Sequence, residues 1–70
     1  MSKKKNYTLV GVDGNAFAIL AYTSKAMMDN GFSEEDINKM EEEAKSGNYY
    51  NLIAVCDRWI SKVNEKINAS

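Results

Sequence analysis

The stretch YTLVGVDGNAFAIL, residues 7–20, changes its periodicity midway. Its first half, Tyr7 to Val12, is built from Tyr, Thr, Leu and Val, residues that suit a pleated strand. In that reading Tyr7, Leu9 and Gly11 face one way and Thr8, Val10 and Val12 the other. From Asn15 onward the pattern is helical. Phe17, Leu20, Ala21, Ser24, Met27 and Met28 follow i, i+3, i+4, i+7 spacing, and Ala18, Ile19, Tyr22 and Ala26 add a neighbouring apolar stripe. A short strand over 7–12 and a helix over 15–30 therefore meet at the corner Asp13-Gly14-Asn15.

No other segment of the chain reads as a strand. A lone strand leaves its ladder groups open unless water or another chain takes them. The segment is then either an extended arm lying on helices or a strand paired with its copy in a second subunit. The helix after it carries no polar residue from Ala16 to Tyr22. A helix apolar most of the way round is central, which in so small a chain again points to burial by a second subunit. Met27 and Met28 read as core filler.

Asn30-Gly31 ends this helix, with Gly31 suited to the left-handed closing position. Ser33-Glu34-Glu35-Asp36 resembles a capping box and opens a second helix over 34–45. Its acidic first turn complements the helix dipole. Ile37, Met40 and Ala44 form its narrow apolar stripe, while Glu41, Glu42 and Glu43 read as a solvated face. Ser46-Gly47-Asn48 repeats the stop and restart, Gly47 closing one helix and Asn48 capping the next. A third helix over 49–67 carries the longest stripe: Tyr49, Leu52, Ile53, Cys56, Trp59, Ile60, Val63 and Ile67. Residues 1–6 read as a flexible basic start and 68–70 as a tail. The expected fold is mainly α: one domain over 7–67, with a short N-terminal β-strand followed by a three-helix bundle, oligomeric.

Composition narrows the chemistry. The chain has 70 residues, a net charge of −1, one cysteine and no histidine. A domain this size buries only about 60% of its unfolded surface, and such chains often recruit a disulfide, a metal or a second subunit. One cysteine makes no disulfide, and without histidine it makes no zinc site. No metal or cofactor is expected, and self-association is the remaining device. The commonest proton shuttle is missing. Cys56 falls on the apolar stripe of the third helix, where a thiol is structural. Adjacent glutamates point about 100° apart on a helix and form no catalytic pair. The expectation is that the protein is not an enzyme.

Two other motifs fail on inspection. DNGFSEED faintly suggests the end of a calcium loop, but the ligand positions before it would be Ala26 and Met28. A helix-turn-helix would need a basic recognition helix, and the third helix offers mainly Arg58, Lys62 and Lys66 beside a strongly acidic second helix. Nucleic acid is disfavoured. The Lys3–Lys5 run serves as a solvated tail or, in a minority reading, as an arm touching phosphates. No apolar run approaches the ~20 residues that span a bilayer, so no membrane partner is expected. The lone cysteine suits a reducing, cytoplasmic setting.

Two candidate sites remain. The corner, with Thr8, Asp13, Gly14 and Asn15, has two readings. It caps the helix and turns the chain, or its free amides hold a phosphate or carboxylate, against which the Asp13 charge weighs. The second site is an interface built from Tyr7, Leu9, Tyr22, Tyr49, Tyr50 and Trp59, since aromatics are the usual interface anchors.

DGNAFAIL, followed some thirty residues later by SGNYYNLI and a tryptophan, resembles a family of small bacteriophage and bacterial mobile-element proteins. The resemblance covers roughly residues 8–60 and rests on Gly14, Asn15, Ala16, Phe17, Ser46, Gly47, Tyr49, Leu52 and Trp59. Asn48 stands where the family pattern has aspartate. The resemblance implies a phage or prophage origin and no particular chemistry. The function expected is a small interaction protein that binds a host protein. The alternative is an oligomeric binder of a small anionic ligand such as a signalling nucleotide.

Overall fold

The computed structural model describes residues 6–69. The Lys3–Lys5 tail lies outside the described residues. Three helices follow one another: α1 (Ala16–Asp29), α2 (Glu34–Lys45) and α3 (Tyr49–Ala69).

Local chemistry sets their ends. The Asn15 side chain accepts the Phe17 amide at 2.8 Å, the Ser33 hydroxyl accepts the Asp36 amide at 3.1 Å, and the Asn48 side chain accepts the Asn51 amide at 3.0 Å. Each satisfies one of the donors that a helix start leaves open. At the end of α1, Phe32 N–H bonds Met27 C=O and Gly31 N–H bonds Met28 C=O. This is the paired closure of a Schellman motif, and Gly31 holds the left-handed φ of 82° it requires. Ser46 caps α2, its hydroxyl on Glu43 C=O. Asn51 of α3 reaches back to the same carbonyl at 2.9 Å. Gly47 does not take the left-handed closing conformation that Gly31 does; it gives room, since a Cβ there would stand 2.9 Å from the Asn51 side chain.

The helices form an up-down-up bundle. α2 runs opposite to α3, because Phe32, before α2, meets Trp59 while its last turn meets Asn51. α1 and α3 run in the same sense. Tyr49 at the start of α3 bonds Gly14 before α1, and farther on Tyr7 is bonded by both Asn30 and Asn64. The core takes Ile19, Leu20, Ala26 and Met27 from α1, Ile37, Met40 and Ala44 from α2, and Leu52, Val55, Cys56, Trp59, Ile60 and Val63 from α3.

Four expectations are corrected. First, the described residues contain no strand. Tyr7 to Val12 is an extended arm that bends in a turn. Val12 N–H bonds Leu9 C=O at 3.1 Å, and Gly11, at φ 86°, sits third of the four residues. That is the geometry of a type II turn, which places glycine there. The Tyr7, Thr8 and Val10 amides find side chains in place of a ladder. Second, the core seam of α1 takes one edge from each expected stripe, with Thr23 between them. Thr23 is fully buried, its hydroxyl on Ile19 C=O at 2.9 Å. Phe17 and Met28 face outward. Third, Val55 joins the α3 core, Ile53 and Ile67 are half-buried, and Tyr49 is exposed. Fourth, α3 continues through Asn68 and Ala69, where a tail was expected.

Candidate functional site

The corner is committed to local structure. Asp13 accepts the Asn15 amide at 3.0 Å, forming an Asx turn, and Asn15 in turn caps Phe17. The Gly14 carbonyl accepts the Tyr49 hydroxyl. Gly14 takes no left-handed φ. Thr8 is not gathered into this corner: its hydroxyl accepts the Val10 amide at 3.1 Å and its own N–H donates to the Tyr22 hydroxyl at 3.0 Å. Tyr22 lies about 10 Å along α1 from Asn15 at 1.5 Å per residue. The four corner candidates therefore build a cap and a turn, with the Asp13 carboxylate beside the helix start where an anion would sit.

The interface candidates divide into three groups. Tyr7, Leu9 and Tyr22 are half-buried within the chain. The Tyr7 and Tyr22 rings meet edge to face with centroids 6.0 Å apart, a favoured aromatic geometry. Together they hold the arm, residues 6–12, against α1 and α3.

Trp59 lies in the core, as its place on the apolar stripe of α3 predicts, and leaves little surface for the interface reading. It is 5% exposed, its ring edge meets Phe32, and its indole N–H donates to Glu43 Oε1 at 3.3 Å. Lys62 Nζ lies 4.1 Å from the ring centre. The Arg58 guanidinium reaches the same Glu43 oxygen at 3.1 Å. The Trp59 hydrogen bond, followed by Arg58, holds the Glu43 carboxyl below its ordinary pKa.

Tyr49 and Tyr50 remain at the surface, their rings edge to face with centroids 6.3 Å apart. Because Tyr49 is tied to Gly14, the first turns of α1 and α3 lie side by side. Phe17, 79% exposed, and Tyr50, 80% exposed, therefore share one end of the bundle. Phe17 is an exposed residue that periodicity misassigned to the core.

Cys56 is fully buried, and that burial raises its thiol pKa against a weaker opposing hydrogen bond with Thr23. A raised pKa leaves little thiolate, so the group is a poor nucleophile. No cluster of three or more metal-ligating side chains occurs among the described residues, and no described helix is long and apolar enough to cross a membrane.

One polar group escaped sequence reading altogether. The Asn64 carboxamide accepts Tyr7 N–H at 2.7 Å and donates to Tyr7 C=O at 2.9 Å. A single asparagine beside Val63 on α3 gives no sequence signal for this contact, 57 residues away in the chain.

The fold defines a small three-helix bundle with an N-terminal strap. Set against known proteins, the chain matches no family model, no curated protein and no solved structure.

Proposed function

We propose that this is a small non-enzymatic interaction protein, a phage or mobile-element accessory that binds a host protein through the aromatic end of its bundle. The observation that carries the reading is the exposure of Phe17, Tyr49 and Tyr50 around the paired first turns of α1 and α3. Three large aromatic groups in water at one end of a 70-residue chain are costly to leave uncovered, and such patches mark interaction sites. Tyr and Phe supply large contact area at low side-chain entropy. The proposal puts this action in the cytoplasm, because the chain carries one free thiol, Cys56, which suits a reducing compartment.

The test compares the wild-type chain with a Phe17→Ser/Tyr50→Ser double variant, each immobilised and exposed to bacterial lysate. Both substitutions are at exposed positions, so the variant keeps its helical circular dichroism. The proposal expects one or a few proteins retained by the wild type and lost by the double variant. Identical retention by both chains, or none by either, defeats it.

A further inference from the structure

The strap is held by its main chain. Asn64 takes both backbone groups of Tyr7, as one residue of a partner strand would. The Tyr22 hydroxyl takes the next amide, that of Thr8. Neither contact reads a side chain, so any extended peptide satisfies them. Side-chain selection comes from the Tyr7 slot, where the ring meets Tyr22 edge to face and its hydroxyl accepts from Asn30 at 3.3 Å. Two residues on, Leu9 packs half-buried against the core.

Among the described residues, the strap does not fill this site: a cavity of about 230 Å³ lies beside it, lined by Tyr7, Tyr22, Lys25, Ala26 and Asp29. Tyr7, Leu9 and Val12 are each only half-buried. The segment's attachment to α1 runs through the Gly11 turn and the Asp13-Gly14 corner. A backbone clamp, an aromatic slot and an incompletely seated occupant are the features of a peptide-recognition site.

We propose that the face of α1 and α3 carrying Tyr22, Asn30 and Asn64 is a binding site for an extended peptide of aromatic–x–aliphatic sequence, and that residues 7–9 of this chain occupy it as an internal pseudo-ligand. A partner's segment enters by displacing the strap. The tether gives the strap an effective concentration in the millimolar range, so a free peptide competes poorly until the strap is weakened. This site is separate from the aromatic end and does not rest on the reading given there.

The test uses the full chain and a fluorescein-labelled peptide of residues 6–13, NYTLVGVD, followed by fluorescence anisotropy. Tyr7→Ala weakens the internal ligand while leaving Tyr22, Asn30 and Asn64 in place. The proposal expects at least tenfold tighter peptide binding by Tyr7→Ala than by wild type. Adding Asn64→Ala to that background reverses the gain at least tenfold. Tyr22→Phe in the same background keeps the ring and removes only the acceptor for the amide after the aromatic residue, and it weakens binding severalfold. That milder variant stands in should the Asn64 change disturb folding, which circular dichroism reports. Equal peptide binding by wild type and Tyr7→Ala overturns the proposal. So does peptide binding that neither Asn64→Ala nor Tyr22→Phe alters. A wild-type dimer in native mass spectrometry that Asn64→Ala dissolves overturns the assignment to a foreign peptide, in favour of strap exchange between two copies.

Discussion

Met27 and Met28 are chemically identical neighbours on α1 and differ almost completely in environment. Met27 is 0% exposed and Met28 63% exposed. Replacing each by alanine makes the same covalent change and the same small gain in helix propensity. The difference between the two variants therefore isolates packing. At Met27 the change removes a buried thioether side chain from the seam among the three helices. Such deletions cost about 2–5 kcal/mol, because transfer and cavity terms add. At Met28 the loss stays within about 0.5 kcal/mol, as for ordinary surface positions. A 70-residue domain has a total stability of about 4–10 kcal/mol at the usual per-residue values, so Met27→Ala removes a large share of it. At roughly 4–8 °C per kcal/mol, the melting temperature falls by about 8 °C or more. Urea titration followed by Trp59 fluorescence and by far-ultraviolet circular dichroism measures both variants, and coincident curves establish two-state unfolding. Equal losses for Met27→Ala and Met28→Ala would refute the assigned rotation of α1. A second subunit covering Met28 would produce that result, with a concentration dependence that shows it.

Three further outcomes follow from named contacts. Gly31→Ala forces a Cβ into a left-handed backbone and within 3.0 Å of Lys66 Nζ. It should cost about 1–2 kcal/mol, whereas Gly14→Ala, with only an ordinary 3.6 Å contact to Tyr49, should be neutral or stabilise by about 0.4–1 kcal/mol; denaturation midpoints compare them. Glu43 titrates below its ordinary pKa of 4.5 in the folded chain. The stability it contributes is present above the unfolded value and disappears as pH falls through the lower folded value. Glu43→Gln should therefore be less stable than wild type near pH 7 and converge on it in acid, as urea midpoints at several pH values will show. Cys56 should react with a thiol reagent only at the rate of opening of the bundle, so that labelling accelerates in urea in step with the loss of helical signal.

The sequence by itself determined the helices and most of their limits, because those depend on neighbours in the chain. Asn15, Ser33 and Asn48 cap as their local chemistry demands, and Gly31 closes α1 in the left-handed conformation its position requires. Ile37, Met40 and Ala44 stand out on an otherwise charged helix, so the inner face of α2 was legible from periodicity alone. α1 is apolar almost all round, and its pattern carried too little contrast to fix a rotation. Contact with α2 and α3 chose the seam through Ile19, Thr23 and Met27, and turned Phe17 and Met28 to water. Strand propensity misled at residues 7–12 because a strand needs a partner ladder. Here the amides of Tyr7, Thr8, Val10 and Val12 went to Asn64, Tyr22, Thr8 and the Leu9 carbonyl, and Gly11 was the local sign of a turn. The strap and its clamp join residues at opposite ends of the chain, and no local pattern encodes a pairing of that kind. Only the packing of α1 beside α3 brought Tyr7, Tyr22 and Asn64 together.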